Sequence, residues 1–407
     1  MEQGWKKKTI LFISSQTVSL LGSSLVQYAI LWHITLSTQS GIMMTLSIIC
    51  GFLPSFFLSP FAGVFADRYN RKTLIIIADA GIAAVTLLLA VVFMAGYNEI
   101  WLLFVISAFR SLGTGIQMPA VGAFLPQFIP EEKLTRVNAV NGTIQSIISL
   151  ASPMLGAALM AFAKIEMIFF IDVITAAIAI FILAAKLHVP PHQKATETQA
   201  TGYLSDFKSG LDYVRKHGFI IKFLLFSAAF FFLAAPAAFL TPLQVTRSFN
   251  GGVFELSAIE IAFSLGMVLG GILMTGWGGF NNRILTMVVA GTLLGVFTFL
   301  MGVVPVFWIY LVIMGLTGIA IPIYHTPANV LLQEKVEESY LGRVFGLFGM
   351  LASAVMPLAM LFFGPLSDTL PIEWLLIGTG ILMLLASAVL FFSRRLVKEG
   401  NAPKIPE

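Results

Sequence analysis

Twelve long apolar stretches restrict this chain to one structural class. A helix needs roughly 20 apolar residues to cross the ~30 Å hydrocarbon layer of a bilayer. Hydrophobic residues make up 58% of the chain and charged residues only 11%, whereas a soluble domain carries about 25% charged residues. A folded surface of this size would not stay polar with so little charge. The sequence therefore predicts an all-α integral membrane protein with 12 transmembrane helices.

The predicted spans form two sets of six, separated by a long polar segment. The first set covers residues 9–36, 41–66, 74–95, 100–126, 138–163 and 166–186, and the second covers 219–245, 255–279, 284–303, 306–331, 344–366 and 371–393. This predicts a six-helix bundle at 1–186, a cytoplasmic linker at 187–218, a second six-helix bundle at 219–393 and a cytoplasmic tail at 394–407. An amphipathic patch from Tyr203 to His217 lies within the linker.

A weak internal repeat relates the two sets. Pro119-Ala120 precedes Arg136-Val137 at the start of span five, and Pro327-Ala328 precedes Arg343-Val344 at the start of span eleven. The spacings from proline to arginine are 17 and 16 residues. Two related halves around a central site are typical of secondary transporters. We therefore expect two pseudo-symmetric bundles.

The distribution of basic residues predicts the orientation of the chain. With 12 spans and the N-terminus inside, 21 of the 24 Lys and Arg residues fall on the cytoplasmic side. Lys164 and Arg247 fall outside, and Arg110 lies within a span. Positively charged loops remain cytoplasmic in membrane proteins. We expect both termini to be cytoplasmic.

Arg110 is the most informative charge, because it lies in the middle of span four. A cation within the membrane is costly and usually functional. Ser107, Thr114 and Gln117 lie at helical spacing from it and form one polar stripe with it. Two interpretations are open: Arg110 takes part in transport, or it is a structural arginine that pairs with a carboxylate or with helix-end carbonyls.

Three carboxylates within spans are candidates for proton coupling. We favour Glu260 in span eight, which shares a face with Ser264, followed by Asp172 in span six and Asp79 in span three. A carboxylate in a low-dielectric environment resists ionisation, so it can exchange protons near neutral pH. The alternative at each position is a carboxylate that serves helix packing or capping.

Polar stripes on the first, fourth and fifth spans predict a hydrated cavity, since a polar stripe on a membrane helix faces protein or water. Interhelical hydrogen bonding is the alternative. Aromatic residues of span seven suit a bulky hydrophobic ligand, although phenylalanine facing lipid is an alternative there. The residues expected to line a substrate cavity are Gln16, Ser23, Gln27, Gln117, Asn141, Gln145, Phe230 and His325.

The loop between spans two and three carries the sharpest motif, Gly63-Val-Phe-Ala-Asp67-Arg68-Tyr-Asn-Arg71-Lys72. This motif closely resembles the loop signature of the major facilitator superfamily. The resemblance implies a cytoplasmic gate formed by Gly63, Asp67, Arg68, Arg71 and Lys72. In the equivalent loop after span eight, Gly279 stands where the aspartate would be.

Several other segments resemble the bacterial macrolide-efflux branch of this superfamily. They include Gly51-Phe-Leu-Pro54, Ala78-Asp79, Arg110-Ser-Leu-Gly-Thr, Met118-Pro-Ala, Pro130-Glu-Glu-x-Leu-Thr135 and Tyr340-Leu-Gly-Arg-Val-Phe345. The resemblance implies proton-coupled antiport of a hydrophobic drug across the bacterial cell membrane, with Arg110 in proton coupling. Ser152-Pro153-x-x-Gly156 partly resembles the bend of superfamily antiporters. Export or flipping of a lipid-like or siderophore substrate is the alternative.

Other function classes lack support in the sequence. The five histidines are scattered without ligand-like spacing, and Cys50 is the only cysteine, so we predict no metal site. No phosphate-cradling Gly-Lys-Ser/Thr loop occurs, which argues against ATP as the energy source. We expect a transporter and not an enzyme, without a cofactor and driven by a proton gradient. Its expected partners are protons, the bilayer and a hydrophobic small molecule, with no nucleic acid, and we expect a monomer.

Overall fold

The computed structural model describes residues 4–187, 189 and 203–400, which contain 15 α-helices and no strand. The first seven helices are α1 (Gly4–Thr38), α2 (Gly41–Arg68), α3 (Arg71–Met94), α4 (Ile100–Phe124), α5 (Glu131–Phe162), α6 (Ile165–Phe181) and α7 (Tyr203–Lys216). The others are α8 (Gly218–Phe239), α9 (Thr241–Ser248), α10 (Val253–Trp277), α11 (Arg283–Val303), α12 (Phe307–Lys335), α13 (Glu338–Thr369), α14 (Ile372–Phe392) and α15 (Arg394–Glu399).

Twelve helical segments in the described residues are long and apolar enough to cross a membrane. This confirms the predicted number of spans and the all-α fold class. Several helices extend beyond the predicted spans because polar residues continue the helix at its ends. α5, for example, begins at Glu131 and not at residue 138. Two acidic side chains in its first turn stabilise the N-terminus of the helix.

The predicted seventh span consists of two helices and not one. α8 ends at Phe239 and α9 begins at Thr241, with Pro242 in the first turn of α9. Proline has no backbone N–H and its ring clashes with the preceding turn, which favours the break between α8 and α9 at Leu240. The amphipathic patch of the predicted linker forms α7, whereas residues 188 and 190–202 of that linker lie outside the described residues.

The helices group into two compact units. One comprises Met1–Thr38 and Leu46–Thr198, and the other comprises Gln39–Thr45 and Gln199–Glu407. In the first unit, α1 packs against α5 and α6, and α3 packs against α4 and α6. In the second unit, α8 packs against α13 and α14, and α11 packs against α12 and α14. The first and third spans of each set therefore have equivalent neighbours, which agrees with the internal repeat.

Candidate functional site

Arg110 on α4 and Asp172 on α6 form a buried ion pair in the first unit. The guanidinium Nη1 of Arg110 contacts Oδ2 of Asp172. Arg110 is 6% exposed and Asp172 is 0% exposed. Because an isolated charge is costly in a low-dielectric interior, each residue compensates the charge of the other. The structure thus brings together two residues that the sequence predicted separately, and it shows the carboxylate partner considered for Arg110.

Hydroxyl groups from two further helices complete this pair. Ser23 on α1 donates to Oδ1 of Asp172 at 3.0 Å, and Thr86 on α3 donates to Oδ2 at 3.2 Å. The guanidinium Nη2 of Arg110 also donates to the backbone carbonyl of Ser23 at 3.2 Å. Four helices of the first unit therefore meet at one ionic centre, which we call the Arg110–Asp172 cluster.

Glycines allow these helices to approach closely enough. A Cβ at Gly22 on α1 would lie 2.0 Å from the hydroxyl of Thr175 on α6, and a Cβ at Gly113 on α4 would lie 2.5 Å from Ile82 on α3. Both distances are shorter than any contact that two such atoms can make. Small residues at membrane helix contacts bring backbones together, and here they bring Ser23 within hydrogen-bond reach of Asp172.

Asp79 on α3 forms a second polar cluster that contains no cation. Ser19 donates to Oδ1 of Asp79 at 3.2 Å, and the amide Nε2 of Gln117 donates to the same oxygen at 2.5 Å. Asp79 is 2% exposed. Its Oδ2 atom and the Nε2 atom of Gln16 are buried and have no hydrogen-bond partner in the described part of the chain. We call this group the Asp79 cluster.

A small polar recess borders the Asp79 cluster. Four amide side chains line it, together with apolar residues: Gln16, Gln117, Asn141 and Gln145. Its volume is about 50 Å³, which is room for water but not for a drug-sized molecule. Gln16 and Gln117 belong both to the recess and to the Asp79 cluster, so these amides connect solvent-sized space with the buried carboxylate.

The remaining predicted residues lie elsewhere. Gln27 is exposed, and its Nε2 lies 3.4 Å from where a Cβ of Gly51 would be. In the second unit, Phe230 is 2% exposed and stacks on Tyr324 at a centroid distance of 4.6 Å. His325 stacks on Phe231. Phe230 and its neighbours thus belong to a packed core, and Phe230 does not face lipid.

Glu260 on α10 is partly exposed within the second unit. It makes no hydrogen bond or ion pair within the described part of the chain. The predicted proton-coupling residues therefore occupy three separate places: the ion pair, the Asp79 cluster and Glu260. Among the described residues, no three His, Cys, Asp or Glu side chains are close enough to hold a metal ion.

The motif between α2 and α3 anchors the ends of other helices. Arg71 donates to the carbonyl of Ala123 at the end of α4 at 2.7 Å. Lys72 donates to the carbonyl of Leu187 at 2.8 Å, where the last turn of the sixth span widens into a π-helix at Ile182–Lys186. These cations satisfy carbonyl groups that lack helical partners. At Gly63, Asp67 and Arg68 only the backbone is described, and it is helical.

Comparison with known proteins identifies the family to which this fold and this motif belong. The family model for the Major Facilitator Superfamily matches residues 11–360 and, in a second match, 234–407. The chain belongs to the major facilitator superfamily. This superfamily member has the fold of a bacterial homologue of the iron transporter ferroportin, whose crystal structure is in an inward-facing state. The two structures superpose with a TM-score of 0.72 at 15% sequence identity. The match covers 98% of this chain and 100% of that one.

Sequence relatives agree with the predicted branch of the superfamily. Macrolide efflux protein A of Streptococcus pyogenes is 30% identical over 385 residues, which are 94% of this chain and 95% of that protein. The protein of the same name from Enterococcus faecalis is 31% identical over 323 residues, which are 79% of this chain and 99% of that protein. The resemblance to the macrolide-efflux branch is confirmed.

Thr86 is the residue of this superfamily member that the sequence reasoning missed. Thr86 contacts both Arg110 and Asp172, although a threonine in an apolar helix gives no strong signal by itself. A usable signal existed, because Thr86 follows Asp79 by seven residues and so lies on the same helix face. That face of α3 contributes to both clusters.

Proposed function

We propose that this chain is a secondary active exporter of the bacterial cell membrane that moves a hydrophobic small molecule outward in exchange for protons. A macrolide is the first substrate to test, since the relatives that cover most of the chain are macrolide efflux proteins. In this proposal both termini are cytoplasmic, as the 21 basic residues on one side favour. The Gly63–Lys72 motif would act as the cytoplasmic gate during alternating access.

The Asp79 cluster is the observation that carries this proposal. A buried carboxylate that contacts no cation among the described residues is suited to bind and release a proton. The polar recess provides space for water beside it, at Gln16 and Gln117. Those amides lie between the recess and Asp79, so water in the recess would exchange protons with the carboxylate through them.

Arg110 and Asp172 have a different role in this proposal. Asp172 already has a full positive charge beside it and two hydroxyl donors. In this proposal the pair and its hydroxyl donors hold α1, α3, α4 and α6 in register while Asp79 exchanges the proton. Glu260 is the competing proton carrier, since it also lacks a cation within the described residues.

The test measures coupling in everted membrane vesicles from a bacterium without its own major drug pumps. The vesicles are acidified inside, erythromycin is added, and proton efflux is followed with a pH-sensitive dye. We expect the wild type to release protons when erythromycin is added. Asp79→Asn keeps the Oδ1 acceptor for Ser19 and Gln117 but cannot exchange a proton, so we expect at least a tenfold loss of this signal.

Glu260→Gln is the matched control, because it also removes one carboxylate from a membrane span. We expect it to retain coupling. Loss of coupling in Glu260→Gln but not in Asp79→Asn would assign the proton to the second unit. If the correctly inserted wild type released no protons with any compound of a broad drug panel, the proposal of drug–proton antiport would be rejected.

A further inference from the structure

A groove between the first halves of α1 and α5 is lined by none of the residues of the two polar clusters. Its volume is about 660 Å³, which lies within the range of roughly 300–1,000 Å³ for ligand-binding clefts. Every lining residue belongs to the first unit. The groove shares Ile144 with the polar recess but is more than ten times larger.

Helical spacing places one face of each helix along this groove. On α1 the lining residues include Lys6, Ile10 and Ile13, and on α5 they include Arg136, Val140 and Ile144. Residues three or four apart lie above one another on a helix. The groove therefore runs along both helices for about two turns and does not cross them.

The polarity of the groove changes along its length. Lys6 lies in the first turn of α1, and Lys133 and Arg136 lie in the first two turns of α5. Apolar side chains follow on both helices, among them Ile13 and Ile144. A cationic end and an apolar remainder match a molecule with an anionic head and a hydrocarbon tail.

The cations at this end of the groove have no carboxylate partner in contact with them in the described part of the chain. Lys6, Lys133 and Arg136 are exposed, and none of them forms an ion pair with any residue that the structure describes. Glu131 and Glu132 precede Lys133 but do not line the groove. Three positive charges at one end of a cleft attract an anion. An amphiphile with an anionic head contacts these charges with its head while its tail contacts the apolar part of the groove.

Trp5 indicates the depth of this end in the bilayer. Trp5 lines the groove and is partly buried, and the ammonium of Lys6 lies 5.9 Å from the centroid of its ring. Tryptophan is enriched at the level of lipid head groups. The three cations therefore lie where the head groups of a membrane leaflet lie.

We propose that this groove binds an anionic phospholipid, with its phosphate at Lys6, Lys133 and Arg136 and one acyl chain along Ile13, Val140 and Ile144. Basic pockets between transmembrane helices bind acidic head groups in this way. This site is distinct from the exported molecule and does not depend on the proposed antiport. The lipid would join α1 and α5, the two helices that flank the polar recess.

The test counts bound lipid on the purified full-length protein by native mass spectrometry. Phosphatidylglycerol and phosphatidylcholine with identical chains are compared. We expect the wild type to retain one phosphatidylglycerol in preference to phosphatidylcholine. In K6Q/K133Q/R136Q we expect an affinity for phosphatidylglycerol about 100-fold lower, because each basic residue near an anionic surface contributes roughly fivefold.

The matched control is K208Q/R215Q/K216Q on α7, which removes three exposed cations and leaves the groove unchanged. We expect it to bind phosphatidylglycerol like the wild type. Val140→Trp keeps the cations but fills the apolar part, and we expect it to weaken binding as well. Equal binding by both triple variants would overturn the proposal, as would complete displacement of phosphatidylglycerol by glycerol 1-phosphate, which would indicate a site for free phosphate.

Discussion

The two units of this superfamily member differ in what they bury. The first unit encloses three ionisable side chains, Asp79, Arg110 and Asp172, each at most 6% exposed. In the described part of the second unit, the buried polar residues are hydroxyl and amide side chains such as Gln244 and Thr286. A buried charge is costly, and an apolar replacement is often as stable. The presence of buried charges in the first unit therefore supports the proposal that this unit carries the proton.

The second unit is held together by aromatic and backbone contacts. Its core includes Phe223, Phe230, Phe231 and Tyr324. Tyr310 is fully buried too, and its hydroxyl donates to Gln244 at 2.9 Å. These contacts are made by neutral aromatic and amide side chains. The comparison teaches that two bundles with equivalent helix neighbours have different interiors, one with buried charges and one with stacked aromatic rings.

Removing one member of the ion pair should have the largest effect. Arg110→Ala leaves Asp172 buried without a cation, and we expect a loss of about 3–5 kcal/mol in the free energy of unfolding. Thermal unfolding of the purified protein measures it. R110M/D172L removes both charges, so we expect most of the stability to return while transport stays impaired.

The double variant separates structure from transport. Full transport by R110M/D172L would show that the pair serves stability alone. If Arg110→Ala had the same free energy of unfolding as the wild type, the first unit would not depend on its buried ion pair for stability.

A methyl group added at a glycine contact should have an intermediate effect in the second unit. A Cβ at Gly266 on α10 would lie 2.0 Å from the carbonyl oxygen of Gly315 on α12. We expect Gly266→Ala to cost about 1–3 kcal/mol in the free energy of unfolding, because neither backbone can move away cheaply. This tests whether close backbone approach stabilises the second unit.

Gly271 on the same helix provides the control, since nothing lies within 4 Å of a Cβ there. We expect Gly271→Ala to raise the free energy of unfolding by up to about 1 kcal/mol, because alanine favours a helix interior and nothing opposes its Cβ. Equal midpoints of thermal unfolding for both variants would mean that α10 and α12 separate easily. Close backbone approach would then not stabilise the second unit.

The sequence predicted the spans well because hydropathy over 20 residues averages out local errors. It also identified Arg110, Asp79 and Asp172 as exceptional, because a charge in an apolar run is conspicuous. It did not reveal that Arg110 pairs with Asp172, 62 positions away, rather than with Asp79. The pairing depends on which helix faces meet, and Gly22 and Gly113 determine that through close contacts that hydropathy does not record.

Other features were beyond sequence reasoning for the same reason. The aromatic residues of α8 have the composition of either a ligand wall or a core, and only packing shows that Phe230 is stacked on Tyr324. The groove between α1 and α5 combines residues of two helices that are more than 100 positions apart in the chain. Neither helix alone has a distinctive motif there.

The smallest effect is expected at Asp368, a charge near the surface of the second unit. Its Oδ1 accepts from the backbone N–H of Gly41 at 2.7 Å and its Oδ2 accepts from that of Ile42 at 3.0 Å, at the start of α2. Arg247 donates to Oδ1 at 2.5 Å. The carboxylate therefore caps a helix N-terminus.

We expect Asp368→Ala to cost about 1 kcal/mol in the free energy of unfolding, as loss of a helix cap usually does, and Asp368→Asn to cost less because it keeps acceptor capacity. Thermal unfolding at low and high salt measures both. Asp212→Ala removes a more exposed carboxylate, whose contact with Arg215 is 4.0 Å, and should have almost no effect. A cost at Asp368 as large as that at Arg110 would mean that the second unit also depends on a charge, and the contrast between the two interiors would fail.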